Sequence, residues 1–165
     1  MDYSIDPRAA TVVVRTSDGF RPLVRADLEE VADRWASSPH IPEAIEHQLH
    51  VARQLYTHSL LVWEFGAVAV STALLAVESA LRLRLGAKRS ENFAGLISRA
   101  HAAGLITDDM RSFLDIGRDL RNRFSHPTYQ QVWSLGMTAP ALRTSFEVIA
   151  GLFRDGAAVP DASIR

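Results

Sequence analysis

The residues with the clearest capacity for chemistry lie in one segment, Arg118-Asp119-Leu120-Arg121-Asn122-Arg123-Phe124-Ser125-His126-Pro127. Arg121 is a permanent cation whose planar guanidinium can hold a phosphate through two hydrogen bonds. His126 can transfer a proton near neutral pH. Asn122 would be a neighbour of this histidine if the last turn of a helix persisted. The segment therefore collects a fixed cation, an amide and a titratable imidazole.

Together these groups have the chemistry of a metal-independent ribonuclease. The 2′-hydroxyl of a ribose would attack its own 3′-phosphate, and Arg121 would stabilise the charged transition state. His126 would act as the base or as the acid that protonates the 5′-oxygen. The structural alternative is that the arginine and the histidine only neutralise carbonyl groups at a helix C-terminus. Spacing alone favours that alternative.

Two further arginines flank this pair. Arg118 and Arg123 could extend a track that binds the phosphates of a nucleic acid. They could equally be exposed arginines whose charge Asp115 and Asp119 balance. The sequence leaves both interpretations open.

Glu78 stands out because it lies within an apolar helix. A buried carboxylate needs a partner. Arg82, one helical turn further on, can supply it locally, and Arg118 or Arg121 could do so across a bundle. The sequence favours a structural ion pair over a supporting role for Glu78 beside the catalytic candidates.

A second cluster combines His47 and His50 with Glu43 and Glu46 on adjacent helical turns. Imidazole and carboxylate groups can bind a divalent metal ion. The same residues also form ordinary i,i+4 pairs on a solvated helix face, and their spacing is not a recognised ligand motif. We therefore expect a solvated face here, and we predict no metal and no cofactor.

The composition is that of one ordinary globular domain. The chain has 165 residues, of which 47% are apolar and 22% charged, and its net charge is −1. A chain that is basic throughout is thereby excluded, although a local patch can still bind nucleic acid. The absence of cysteine excludes disulfides, thiolate metal sites and cysteine nucleophiles.

The sequence predicts a soluble, cytoplasmic protein with no membrane association. Residues 1–7 lack the basic start and apolar run of a signal peptide. The most apolar stretch runs from Phe65 to Val77, whereas a membrane span needs about 20 residues. We expect this stretch to be a buried helix.

The first 40 residues predict a small N-terminal extension. Two apolar runs separated by a turn signal within residues 11–24 favour a β-hairpin. Asp27, followed by Glu30, is typical of a capping-box helix start, and that helix would end near Trp35.

The rest of the chain predicts helices. Between Pro42 and Leu85 there is no other proline and only Gly66, so we expect two helices or one long helix bent near residues 57–66. Capping residues and apolar spacing predict further helices at residues 90–103, 107–126 and about 140–153. Four or five antiparallel helices with short loops form an all-α bundle.

The motif and its helical context resemble the HEPN domain family. That family carries an arginine, usually followed by a polar residue such as asparagine, with four to six residues before a histidine. Here the matching residues are Arg121, Asn122 and His126. The order of helices is also similar, with a long apolar helix, a shorter helix and then the motif helix. The resemblance covers roughly residues 45–153.

Membership of this family implies an up-and-down four-helix bundle that usually dimerises, so that two motif helices face each other across a composite groove. Many members are metal-independent endoribonucleases in toxin–antitoxin, phage-defence or CRISPR systems. Others bind RNA, nucleotides or proteins without catalysis. In one toxin branch, a tyrosine two residues after the histidine receives AMP from a nucleotidyltransferase antitoxin. Tyr129 lies three residues after His126, which speaks against that regulation.

Three functional hypotheses follow. The first is a homodimeric HEPN-type endoribonuclease that leaves 2′,3′-cyclic phosphate ends, with a separately encoded antitoxin or nucleotidyltransferase as a partner. The second is a non-catalytic HEPN-like module that binds RNA, a nucleotide or a partner protein. The third is a helical metal-binding protein. In each case we expect an N-terminal extension over residues 1–40, a bundle over 41–155 and a loose tail over 156–165.

Overall fold

The computed structural model describes residues 4–124 and 134–154, with the side chains of residues 120–124 excepted. Within these ranges the chain is mostly helical, with one two-stranded antiparallel sheet, as the sequence predicts. After a short 3₁₀ turn, the elements in chain order are β1 (Val13–Thr16), β2 (Gly19–Pro22), α1 (Arg25–Asp33), α2 (Glu43–His58), α3 (Phe65–Arg84), α4 (Phe93–Ala102), α5 (Asp108–Phe124) and α6 (Leu135–Leu152).

The central element is α3, along which α2 and α6 pack. Its buried side chains are mostly alanine, valine and leucine, and they belong to one continuous hydrophobic core. The long helical run does divide in two, because α2 ends at His58 and α3 begins at Phe65. The predicted break near residues 57–66 is therefore confirmed.

The length and composition of α3 would also allow it to cross a membrane. Its most apolar 18-residue window has a mean hydropathy of 1.5, and half of that window is buried inside the protein. The apolar segment is thus longer than the 13 residues considered above. Its burial against the other helices is consistent with the core helix of a soluble protein.

Two glycines, Gly66 of α3 and Gly117 of α5, allow close packing between α3 and its neighbours. A Cβ atom at Gly66 would lie 3.1 Å from Oγ1 of Thr138, where the beginning of α3 meets the beginning of α6. A Cβ atom at Gly117 would lie 3.0 Å from Cδ2 of Leu74, which is itself buried. Because glycine has no side chain, α6 can lie directly against α3 at Gly66, and α5 can do so at Gly117.

Two contacts between helix ends show in which direction α5 runs along α3. Arg99 of α4 donates a hydrogen bond to the carbonyl of Leu85, at the end of α3, over 3.2 Å. His101, two residues later, contacts Asp108 at the start of α5 over 2.7 Å. Since α5 begins near the end of α3 and then passes Leu74, it runs back toward the beginning of α3.

The N-terminal extension shares the core of the helical part. The ring of Trp35 packs between Tyr56 of α2 and Phe146 of α6, with centroid distances of 5.0 and 4.9 Å. Burial raises the pKa of Tyr56 to about 12. The segment after α1 is therefore held by aromatic packing and not by its local sequence alone.

The residues before the hairpin form a strap across the loop between α2 and α3. The backbone N–H of Asp6 donates to the carbonyl of Leu60 over 2.9 Å. Arg8 forms ion pairs with Asp6 at 2.8 Å and Glu64 at 2.7 Å, and its guanidinium lies over the ring of Trp63. The Arg8 guanidinium holds the pKa of Asp6 well below its usual range.

Two helix starts differ from the prediction. The last helix begins at Leu135, well before Pro140, because Ser134 caps it and the proline inside removes only one backbone hydrogen bond. The helix expected from residue 90 begins at Phe93, where Asn92 supplies the cap. Serine and asparagine cap equally well, so the sequence does not identify which of several polar residues is used.

Asp27 does not begin α1, as the sequence suggested, but lies in its first turn. Its carboxylate accepts a hydrogen bond from the backbone N–H of Val24 over 2.9 Å and two from Arg21 of β2 over 2.6 and 2.7 Å. The Arg21 guanidinium is the main cause that lowers the pKa of Asp27 to about 2. This one carboxylate therefore joins the hairpin to α1.

Replacement of Asp27 by asparagine should lower stability in a pH-dependent way. The unfolded chain protonates Asp27 near pH 4, so the ionised pair stabilises the fold above that pH and is lost as the pH falls toward 2. We expect Asp27→Asn to reduce the free energy of unfolding by about 1 kcal/mol at pH 7. Urea denaturation from pH 7 to pH 2 should show this difference shrinking; a constant difference would contradict the assignment.

Enlargement of Gly117 should separate α5 from α3. We expect Gly117→Leu to lower the free energy of unfolding by about 1–3 kcal/mol, because the new side chain must displace the buried Leu74. Gly151→Leu in α6 is the matched control, since a Cβ atom there meets nothing within 4 Å. Equal denaturation midpoints for the two variants would show that the close contact with Leu74 does not exist.

Candidate functional site

The helix that carries the motif is built as the sequence predicts. Thr107 accepts a hydrogen bond from the backbone N–H of Met110, and Asp108 and Asp109 occupy the first turn, where the helix dipole favours negative charge. Gly117 and Leu114 are buried against the core. A capped start and one buried face thus hold α5 in place as far as its final turns.

The structure places the backbone of Arg121, Asn122 and Arg123 in the last turn of α5, which ends at Phe124. The side chains of these residues lie outside the part of the chain that is described, and so does the whole of His126. The meeting of the arginine and the histidine therefore stays a prediction. The helical backbone up to the motif is the part that the structure supports.

The contact at Gly117 locates this last turn relative to α3. Arg121 follows Gly117 by four residues, which places the two positions about 40° apart around the helix axis. Since α5 runs back along α3, position 121 lies one turn beyond Leu74 in the direction of Phe65. The last turn of α5 thus lies toward the end of the molecule at which α3 and α6 begin.

Arg118 has its charge balanced by two acidic neighbours. Its guanidinium pairs with Asp115 at 3.1 Å and with Asp119 at 2.9 Å. A phosphate that binds Arg118 must therefore compete with two carboxylates. Of the two interpretations left open by the sequence, the described contacts match the balanced arginine, whereas the Arg123 side chain is not described.

Glu78 forms the local ion pair that the sequence favours. Its carboxylate accepts a hydrogen bond from Arg82 over 3.0 Å, and both side chains are largely covered. Arg82 also donates to the carbonyls of Lys88 at 2.7 Å and Glu91 at 3.0 Å. The pair therefore ties the end of α3 to the loop before α4. Among the described contacts, Glu78 thus has a structural role.

Sequence reasoning missed a polar cluster that joins α4 to α5. The imidazole of His101 contacts Asp108 through Nε2 at 2.7 Å and Arg111 through Nδ1 at 3.3 Å. A neutral ring satisfies both contacts, donating to the carboxylate and accepting from the guanidinium. The three residues lie within one short stretch of sequence but on two different helices and follow no motif, so only the turn between the helices brings them together.

The second candidate cluster lies at the beginning of α2. His47 and His50 are exposed, and Glu43 and Glu46 occupy the first turn, where they match the helix dipole. Within residues 4–124 and 134–154, no three or more histidine, aspartate or glutamate side chains are placed to hold a metal ion. The structure therefore gives the metal hypothesis no support.

The chain matches no family model, no curated protein and no solved structure. The motif, its helix and the contacts of the described residues are accordingly the whole basis for assigning a function.

Loss of Arg82 should loosen the junction between α3 and α4. Arg82→Ala removes hydrogen bonds to two carbonyls and one hydrogen bond to Glu78, so we expect a loss of about 1–3 kcal/mol in the free energy of unfolding. Hydrogen exchange of residues 86–92 should accelerate in this variant. Arg89→Ala, at an exposed position in the same loop, is the control. Equal exchange rates in both variants would contradict the conclusion that Arg82 holds this loop against the end of α3, a role that we call the brace.

Proposed function

We propose that the protein is a HEPN-type metal-independent endoribonuclease that leaves 2′,3′-cyclic phosphate ends. The observation that carries the proposal is the course of α5, which stays helical through Arg121 and Asn122 and ends two residues before His126. The histidine precedes Pro127, a position that disfavours continued helix. The helical backbone through Phe124 and the proline after His126 support the proposal that an imidazole lies beside the last helical turn.

In the proposed reaction, Arg121 holds the scissile phosphate and stabilises the charge that develops on its oxygens. His126 removes the proton from the attacking 2′-hydroxyl or delivers one to the departing 5′-oxygen. Asn122 orients the phosphate or the imidazole through its amide. The bond between phosphorus and the 5′-oxygen breaks as the bond to the 2′-oxygen forms, which yields the cyclic phosphate.

We propose that α2, α3, α5 and α6 form the up-and-down bundle of the family and that α4 is a short connecting helix. The opposite directions of α3 and α5 support this, as does the meeting of α3 and α6 at their first turns. In a homodimer, the motif helices of both copies would line one groove. Arg123 is then a candidate for binding flanking phosphates, whereas Arg118 is less suited because its charge is balanced.

The biological setting that fits this activity is a cytoplasmic toxin–antitoxin or defence system. An unregulated ribonuclease harms its own cell, so a separately encoded antitoxin or nucleotidyltransferase is the partner that we propose. Glu78 keeps, in this account, the structural role that its pairing with Arg82 gives it.

The non-catalytic alternative is favoured by one observation. The two carboxylates on Arg118 reduce the positive charge along the motif helix, and a strong positive field is what most RNA-binding surfaces present. In that case, the last turn of α5 would bind a nucleotide or a partner protein without cleaving RNA.

Cleavage of defined RNA substrates separates the two functions. We expect the wild-type protein to cleave RNA in the presence of EDTA, and Arg121→Ala or His126→Ala to lower the rate by at least about 100-fold while the circular dichroism spectrum stays unchanged. Arg118→Ala is the control and should retain most of the activity. Products should carry cyclic phosphate ends.

Cleavage that persists in both motif variants would contradict the assigned roles. Intact RNA with every substrate, despite measurable RNA or nucleotide binding, would establish the non-catalytic alternative instead.

A further inference from the structure

The outer face of the N-terminal hairpin combines an aromatic ring with an arginine. Opposite residues of an antiparallel pair point to the same side of the sheet, and here Val13 faces Pro22 and Arg15 faces Phe20. Phe20 is 74% exposed, Val13 is 55% exposed, and the other two are exposed as well. We call this surface the hairpin face, and its members are Val13, Arg15, Phe20 and Pro22.

The opposite side of the hairpin is fixed to the rest of the protein. Val14 packs against the hydrophobic core, and Arg21 forms the ion pair with Asp27 of α1. Leu23, directly after β2, is buried. These contacts hold the hairpin in one orientation, so that the ring of Phe20 is presented to solvent without any freedom for the strand to turn over.

The hairpin face carries a positive charge that is available to a ligand. Among the side chains that the structure describes, no acidic one pairs with Arg15, whereas the charge of Arg21 is balanced on the other side of the hairpin. The acidic residue of this segment, Asp18, lies in the turn between the strands and not on the face. One unpaired guanidinium thus stands beside one exposed aromatic ring.

We propose that the hairpin face binds single-stranded RNA. The ring of Phe20 would stack on one unpaired base, and the guanidinium of Arg15 would bind a phosphate of the same strand. The Cβ atoms of opposite residues in a hairpin lie about 5 Å apart, so the long arginine side chain can reach the backbone of a nucleotide stacked on the ring. Bases within a duplex are already stacked and paired, and they cannot use such a surface.

The size and the edge of the hairpin face argue against a protein as its occupant. A stable protein interface covers about 800 Å² on each partner, and four side chains on two short strands supply less. Addition of a strand to the edge of β2 would need free backbone groups. Pro22 has no N–H, and its carbonyl already accepts a hydrogen bond from Arg21 over 3.1 Å.

The hairpin lies near the end of the molecule toward which the last turn of α5 points. Arg8 pairs with Glu64 just before α3, and β1 begins five residues later, within about 18 Å along an extended chain. An RNA strand held on the hairpin face could therefore continue toward the motif. The choice of RNA as the ligand rests on the proposed function. The site itself precedes residues 45–153, so the resemblance to the HEPN family does not imply it.

Fluorescence anisotropy on the full chain tests this site with an oligouridylate of about 12 nucleotides whose 2′-hydroxyls are methylated. Phe20→Leu keeps an apolar side chain but loses the aromatic ring, and we expect it to weaken binding by about 5- to 100-fold. Phe20→Trp is the matched control and should bind at least as tightly as the wild type, because its ring is larger.

The salt dependence of the same binding tests the role of Arg15. Loss of one phosphate contact to a single strand should lower the slope of log affinity against log salt concentration by about 0.7 in Arg15→Ala. Arg89→Ala, at an exposed arginine beyond the other end of α3, should keep the slope of the wild type.

Several results would overturn the proposal: no binding by the wild type, equal affinities of the wild type and Phe20→Leu, or an equal loss in Phe20→Leu and Phe20→Trp. Duplex RNA that binds as tightly as the single strand, or binding of lipid vesicles in place of RNA, would do the same. Cleavage assays separate this site from the nuclease. Weaker binding in Phe20→Leu without cleavage by the wild type leaves the hairpin site standing and removes the enzyme, whereas cleavage with unchanged binding in Phe20→Leu does the reverse.

Discussion

The structure depends on the burial of one largely apolar helix, α3, among its neighbours. Small and aliphatic side chains cover most of α3, so α2 and α6 can pack along it without any ion pair at their contacts with its first half. At Gly66 and Gly117, the lack of a side chain lets α6 and α5 each pack closely against α3. Burial of apolar area, at about 25 cal/mol per Å², is the main favourable contribution to such a core.

Charged residues fasten the periphery of this core. The strap at Arg8, the hairpin contact at Asp27 and the brace at Arg82 each join a loop or strand to a helix end. Every one of these arginines bonds more than one acceptor, which the planar guanidinium allows and an ammonium group does less well. Surface charge in this protein therefore positions connections, while apolar packing holds the helices together.

The fold was largely predictable because its signals are local. Apolar spacing predicted the helices, and the proline-free stretch from residue 43 to residue 85 predicted the long helical run that α2 and α3 share. The predicted start of α6 was wrong because Ser134 caps the helix and Pro140 within it removes only one backbone hydrogen bond. The cluster of His101, Asp108 and Arg111 was not predictable, because three residues without a motif meet only through the turn between two helices.

The candidate site was predictable only in part, for a different reason. Sequence places Arg121 and Asn122 on a helix and His126 at its end, and the structure confirms the helix. Whether two side chains converge depends on the connection after Phe124, about which spacing says little once a proline ends the regular geometry. The local pairing of Glu78 with Arg82 was predictable since it follows the i,i+4 rule.

The most direct test of the central claim is an NMR titration of the wild-type protein with an RNA whose 2′-hydroxyls are methylated, so that it binds without being cleaved. We expect the imidazole signals of His126 and the guanidinium signal of Arg121 to shift together with one affinity. In Arg121→Ala, the His126 signals should no longer respond. Signals of the two side chains that stay unchanged, or that shift with unrelated affinities, would contradict a shared phosphate site.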